Sequence, residues 1–229
     1  MVDTSFQRIA VQTADGSTTL YLPQWNEHYH SVHGAVQESN HVFVQAGLLY
    51  YLEQNVSNKP IQILEVGMGT GLNALLTAVI AQDKQSAIDY TALEAYPLSD
   101  DELRQLNFSS TVGVNDDALF EKMHSISWGR KEYVHAYMQL CKEEVKVQNW
   151  HPAQCYDLIY FDAFAPAVQP ELWTEAIFQK LFEASCSGSV LVTYCVKGEV
   201  RRAMKAAGWE VYKIPGPPGK REMTRAIRP

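Results

Sequence analysis

Ile63-Leu64-Glu65-Val66-Gly67-Met68-Gly69-Thr70-Gly71 decides how this chain reads. The apolar run from Ile61 to Val66 predicts a buried strand. Glycines follow at once, and Leu72, Leu75, Leu76, Val79 and Ile80 then recur on one face of a helix. Strand, glycine turn and helix form the ligand corner of a doubly wound α/β sheet. Glycine has no Cβ, so the backbone can approach a ligand closely and take φ > 0 in the turn. A dinucleotide fingerprint spaces its glycines G-x-G-x-x-G. Here the spacing is G-x-G-x-G, with Glu65 two residues ahead. A carboxylate at that point repels a pyrophosphate and attracts the ammonium of an amino acid.

Around this centre, 229 residues suffice for one domain with a sizeable core and a small appendage. The expected division is a hairpin and cover segment over 1–55 and a core over 56–229, with a helical insertion near 97–135. No run approaches the roughly 20 apolar residues of a membrane span. Met1-Val2-Asp3-Thr4 lacks the basic-then-apolar profile of a secretory leader, so a cytoplasmic protein is expected. Cys141, Cys155, Cys186 and Cys195 show no C-x-x-C spacing, and neither zinc nor a disulfide framework is expected. The formal charge of −7 argues against a generic nucleic-acid binder. Its distribution is uneven. Residues 197–229 carry nine basic and three acidic side chains, a net +6, which leaves −13 on residues 1–196. A basic tail on an acidic body reads equally as a docking face for a polyanion or as a solvated basic helix.

Residues 7–22 read as a hairpin about Asp15-Gly16. His28, His30 and His33 follow closely, but no two share a helical face and no acid–His pair accompanies them. We read this stretch as an aromatic-rich cover over a pocket and expect no metal. A helix over Gln37–Gln54 leads through the 55–60 loop to the central strand. Tyr90–Glu94 is a second strand whose terminal acid, Glu94, stands where such folds place a carboxylate on a ribose diol. Ser99-Asp100-Asp101-Glu102 is a capping box, and Asp116–Ile126 reads as another helix. Tyr137–Cys141 is a third strand, followed by Glu143 and Glu144, either of which suits an adenine amino group. Tyr156–Asp162 is a fourth, with Asp162 facing the pocket at its end; the competing reading of Asp162 is a helix N-cap. A helix starting at Pro170, a strand over Gly188–Val196, a helix over Glu199–Ala207 closed by Gly208, and strands over Trp209–Ile214 and Arg221–Ile227 complete the pattern.

The Glu65–Gly71 pattern resembles the first motif of S-adenosylmethionine-dependent methyltransferases. Other blocks narrow the resemblance: Tyr29-x-Ser31-x-x-Gly34-Ala35-x-x-Glu38-Ser39-x-His41-Val42-Phe43, Tyr160-Phe161-Asp162-Ala163-Phe164-Ala165-Pro166 with Pro170-Glu171-Leu172-Trp173-Thr174, Gly198-x-Val200-Arg201-Arg202, and Gly219-Lys220-Arg221-Glu222-Met223. Over residues 27–225 they resemble the methyltransferase domain of the tRNA 5-methylaminomethyl-2-thiouridine biosynthesis family. The resemblance implies a Rossmann-like class I fold, with a mixed seven-stranded sheet and an N-terminal hairpin and helix appendage. It also implies S-adenosylmethionine as cofactor and the anticodon region of tRNA as partner, the reaction being N-methylation of an aminomethyl group on the wobble uridine. Bifunctional members add an FAD-dependent oxidase. This sequence reaches Pro229 without a second glycine fingerprint, so a stand-alone methyltransferase served by a separate oxidase is expected.

In that frame Asp162 orients the acceptor amine. Glu65 and the backbone of Gly67, Met68, Gly69 and Gly71, with Asn73, hold the methionine portion. Glu94 takes the ribose and Glu143 or Glu144 the adenine. Tyr29, Phe164 and Trp173 are stacking walls for a base, and Lys197, Arg201, Arg202, Lys220 and Arg221 contact phosphates. A carboxylate of ordinary pKa is a poor base for an amine, so Asp162 is expected to orient more than to abstract. The rivals are an aminopropyltransferase of the spermidine-synthase type and a non-catalytic nucleoside-binding adaptor.

Overall fold

A computed structural model describes residues 7–55, 59–112 and 117–229. The expectations for Met1–Thr4, for part of the 55–60 loop and for a helix start at Asp116 fall outside the described residues. β1 (Ile9–Gln12) and β2 (Thr18–Leu22) form the expected hairpin, and β3 (Glu27–His28) pairs with β2 to make a small antiparallel sheet. Asp15 joins this sheet to the next element, accepting from Thr13 Oγ1 at 2.6 Å and from the backbone N–H of Gln37 at 3.0 Å. Burial works to raise this carboxyl, but its hydrogen bonds from Ser17, Thr13 and Gln37 hold it down at about 2.

The expected helix over 37–54 is present but is not uniform. It starts as α1 (Ala35–Ser39), runs as a π-helix over Asn40–Leu49, and ends as α2 (Tyr50–Gln54). Gly47 lets this helix lie on the sheet, since a Cβ there would stand 3.0 Å from Val192 Cγ2 and 3.2 Å from Tyr160 Cε1.

The main sheet is built from β4 (Ile61–Val66), α3 (Leu72–Lys84), β5 (Ile88–Glu94), α4 (Asp100–Leu103), α5 (Phe108–Val112), α6 (Asp117–Ser125), β6 (Lys131–His135), β7 (Met138–Glu144) and β8 (Tyr156–Phe161). A 3₁₀ turn over Pro170–Leu172, α7 (Glu175–Glu183), β9 (Ser185–Thr193), α8 (Gly198–Ala206), β10 (Glu210–Pro215) and β11 (Glu222–Ile227) complete it. Among the described residues the strand order is β10-β11-β9-β8-β4-β5-β7-β6. β9, β8, β4, β5 and β7 are parallel; β11, β10 and β6 run antiparallel to their neighbours. The seven expected strands are all there, and β6 is an eighth at the edge. Of its five residues only Val134 is buried, so Lys131-Glu132-Tyr133 carries too little apolar alternation to signal a strand.

Both faces of the sheet are covered, and the period of two assigns side chains to layers. Ile61 and Ile63 of β4 face the layer that holds α3 and the 35–54 helix, whereas Leu64 and Val66 face the layer of α7 and α8. Glu65 therefore points into the α3 layer. A correction concerns the cysteines: Cys155 and Cys186 form a disulfide, with Cα atoms 5.4 Å apart. The pairing comes from sheet register, Tyr156 lying opposite Ser185 across β8 and β9, and sequence spacing carries no trace of it. Among the described residues no helix is long and apolar enough to cross a membrane.

Candidate active site

The turn after β4 places Gly67, Gly69 and Gly71 at φ of +89°, +51° and +78°. Each has close neighbours, Gly71 with His124 Nε2 2.8 Å from where its Cβ would be. A Cβ on Gly67 would stand 2.6 Å from the carbonyl oxygen of Asp162, and one on Gly69 would stand 3.0 Å from Cδ1 of Tyr29. The turn is thus pressed between the end of β8 and the cover segment. Glu94, at the end of β5, accepts from the N–H of Gly69 at 2.8 Å and of Tyr96 at 2.9 Å, tying the turn to the neighbouring strand.

In the first turn of α3, Asn73 Nδ2 donates to Glu65 Oε1 and to Asp162 Oδ2, both at 2.9 Å. One amide thus bridges two carboxyl groups. Glu65 is wholly buried, and desolvation raises its pKa well above the ordinary value against the opposing bond from Asn73. Asp162 is half-buried at the wall. Desolvation raises it to about 7, the bond from Asn73 opposes the rise, the charge of Glu38 adds to it and Lys220 opposes it.

Asp162, Glu94 and the 67–70 turn border a cavity of about 430 Å³, within the range of small-molecule sites. Its walls are Gly67–Thr70, Leu93–Tyr96, Val145–Gln148 and Asp162–Ala165, with the cover segment (Trp25 and 27–32) facing them. The rings of Tyr29 and Phe164 meet edge to face at 5.0 Å, and Trp25 meets Phe164 at 5.4 Å. Arg8 fastens the cover, donating to Tyr29 Oη at 2.9 Å, to the Tyr96 carbonyl at 2.9 Å and to Glu102 Oε2 at 3.1 Å. His30 stands edge to face on Phe108 at 5.9 Å, and burial lowers its pKa to about 4, so it serves as a neutral ring of the wall.

Asp162, Glu94, Gly67, Met68, Gly69, Tyr29 and Phe164 come together as expected by spacing. Several other positions do not. Glu65 lies behind the wall together with Asn73, which donates to it, and Gly71 also stands outside the lining. Glu143 and Glu144 stand outside the lining, and the residues just after them, Val145–Gln148, form the wall instead. Trp173 is in the core, its ring 4.9 Å from Phe161 and its Nε1 donating to the Phe164 carbonyl at 2.8 Å, so it stacks on no base. Of the basic residues, Lys197, Arg202 and Arg221 are exposed and Arg201 is half-buried, while Lys220 lines the cavity. Arg228 is spent on the Phe182 carbonyl at 2.8 Å, and Arg225 lies over the Tyr50 ring at 3.4 Å. Sequence reading missed Arg8, Trp25, Glu38 and Tyr194, which line the cavity from distant segments.

The glycine turn that a Cβ would fill, the acid of Glu94 and the apolar side chains of Val145 and Val147 fit a nucleoside carrying an amino-acid tail. Residues 121–229 match the family model described as S-adenosyl-L-methionine-dependent methyltransferase. Together with the sheet order and glycine corner, this gives the chain the Rossmann-like fold of the class I S-adenosylmethionine-dependent methyltransferases. More narrowly, it is similar to the tRNA 5-methylaminomethyl-2-thiouridine biosynthesis bifunctional protein MnmC, through that protein's methyltransferase domain. The identity is 30% over 222 residues with the relative from Cupriavidus metallidurans, covering 91% of this chain and 32% of that protein. With the relative from Paraburkholderia xenovorans it is 28% over 235 residues, covering 97% and 35%. The chain spans about a third of the length of these curated relatives. The crystal structure of MNMC2 from Aquifex aeolicus matches with a TM-score of 0.79 and 24% identity, over 99% of this chain and 72% of that one, a likeness of fold.

Proposed function

We propose that this chain transfers a methyl group from S-adenosylmethionine to the amine of 5-aminomethyl-2-thiouridine at the wobble position of tRNA, giving 5-methylaminomethyl-2-thiouridine. The observation that carries the reading is Asp162, held by Asn73 at the junction of the glycine turn and the aromatic cover. The relatives' names support the tRNA substrate, and the family resemblance implies an FAD-dependent oxidase acting upstream, on this reading a separate protein. The cytoplasm is the matching compartment.

When bound, S-adenosylmethionine supplies a methyl group on a sulfonium, which carries its own leaving group. Glu94 and the Val145–Gln148 wall would hold its nucleoside, and the 67–71 backbone its amino-acid portion. Both Glu94 oxygens already accept one backbone N–H, and each retains a second lone pair for a ribose hydroxyl. The protein's remaining work is to orient the acceptor and take a proton. Positioning alone contributes about 7–11 kcal/mol in favourable cases. An alkylammonium has no lone pair, so it must deprotonate before attack. At its ordinary pKa Asp162 would only orient the amine; raised to about 7, it becomes a competent proton acceptor near neutral pH. The base leaves the tRNA stack to enter, with Trp25, Tyr29 and Phe164 as its aromatic surroundings. Lys197, Arg201, Arg202 and Arg221 supply phosphate contacts outside.

The test is mass spectrometry of nucleosides from tRNA bearing the aminomethyl group, after incubation with purified protein and cofactor. Conversion to the methylaminomethyl nucleoside is expected. The acids Glu27, Glu38, Asp162 and Glu171 on the same cavity also suit a polyamine, so an aminopropylated product in a parallel incubation with a polyamine and decarboxylated S-adenosylmethionine, with tRNA unchanged, establishes the aminopropyltransferase reading. Binding of cofactor and tRNA with no product establishes the adaptor.

A further inference from the structure

The acceptor side of the cavity already holds a cation of this chain. Lys220 Nζ lies 2.5 Å from Glu38 Oε1 and 4.7 Å from the centroid of the Tyr194 ring. Carboxylate and ring are both fixed from behind. Glu38 Oε2 accepts from the N–H of Ser31 at 2.8 Å, and Tyr194 Oη donates to the Ala163 carbonyl at 2.8 Å. All three side chains line the same cavity as Asp162. They differ in freedom: the Lys220 side chain is 39% exposed and that of Glu38 is 13% exposed. Lys220 also stands on the Pro-Gly-rich turn between β10 and β11, next to Gly219 at φ +86°. Carboxylate plus aromatic face is the chemistry that receives an alkylammonium.

We propose that Glu38 and the face of Tyr194 form the ammonium subsite for the acceptor amine, and that the ammonium of Lys220 is its resident stand-in, displaced as the substrate enters. This rests on the reading of the acceptor as an amine. Exchanging one ammonium for another keeps Glu38 neutralised, so entry strands no buried charge. The displaced Lys220 joins Arg221 at the mouth, where a tRNA phosphate can take it up. From the subsite the amine loses its proton to Asp162 on the neighbouring wall before it attacks. Lys220 therefore opposes a small acceptor and is neutral or helpful toward a polyanionic one.

Calorimetry with the nucleoside 5-aminomethyluridine as probe, in the presence of S-adenosylhomocysteine, tests this without turnover. Lys220→Met should bind the probe tighter by about threefold, the size of a partly exposed ion pair. Glu38→Gln, which keeps an acceptor for Ser31, should bind it about tenfold weaker or worse, as for a lost hydrogen bond to a charged group. Cofactor affinity, measured alone, should stay at the wild-type value in both and certifies the fold; if Glu38→Gln fails that check, the Lys220→Met ratio decides. Unchanged probe affinity in both variants, weaker binding in Lys220→Met, or no probe binding by wild type and Lys220→Met alike overturns the subsite. Probe binding with the expected ratios but no methylation of tRNA overturns the proposed function and leaves the subsite standing.

Discussion

The wall formed by Gly67–Thr70 and Glu94 is held largely within one strand-turn-helix-strand unit, Gly69 to Glu94 spanning 25 residues, with Asn73 behind it reaching Asp162 across 89. The wall facing it is tied by Arg8 to Glu102, His41 to the Pro215 carbonyl and Lys220 to Glu38, pairs 94, 174 and 182 residues apart. The first wall is fixed by backbone sterics, where a single Cβ is too much. The second is fixed by ion pairs and rings brought from both ends of the fold, and it can adjust. On the proposed function, the first side would take the cofactor and the second the tRNA base.

Asp162 stands where the two walls meet, and its loss should have the largest effect. Asp162→Asn is expected to lower turnover by about 10²–10⁴ while cofactor affinity stays within a few-fold, as read by single-turnover kinetics and calorimetry. In the wild type kcat/KM should rise with pH around a midpoint near 7. Stability has the opposite slope. The carboxyl rises from 3.8 to about 7 on folding, so between these values the folded state holds the extra proton and stability falls as pH increases. Asp162→Asn should therefore gain in Tm over wild type from pH 4 to 7, with the gain level above that; a pH-independent Tm difference would contradict the burial of this charge.

Gly67→Ala addresses the rigid wall. At φ +89° with a backbone oxygen 2.6 Å from the new Cβ, the variant should lose roughly 2–4 kcal/mol in urea unfolding, from strain and overpacking together. A loss well below 1 kcal/mol would show the turn to be as compliant as the cover. Arg8→Ala addresses the compliant wall and should be mildest, about 1–2 kcal/mol in stability. Its mark is selective: KM for tRNA rises, because Tyr29 is released, while cofactor Kd holds. A cofactor Kd that worsened as much as KM would merge the two walls into one.

The contrast also explains what was legible beforehand. Gly67, Gly69, Glu94 and Asp162 were found because a tight turn and strand ends leave their mark within a few residues of sequence. Ser99 likewise accepts from the N–H of Glu102, whose carboxylate returns to the Ser99 N–H, as the capping-box spacing predicts. Glu38 and Arg8 left no such mark, since a side chain's partner at a distance of 94 or 182 residues is set by topology alone. Trp173 misled because aromatic residues serve core and pocket equally; its burial against Phe161 and Phe178 follows from the side of the sheet on which the 170–174 turn lands. Glu65 misled through parity: one residue either way along β4 and it would face the other layer.

β11 follows every other strand among the described residues yet lies between β9 and β10. On a ribosome, which delivers the chain from its N-terminal end, the glycine corner and β4 can be assembled while this place in the sheet is still vacant. Until residues 222–227 emerge, β10 has no partner, the 215–221 turn has no fixed stem, and Lys220 cannot reach Glu38. Late closure of such long-range contacts is the slow part of folding for sheets of this kind. A nascent chain should thus acquire its nucleoside corner first and its acceptor side last, and on the proposed function it would take up no tRNA before that side closes.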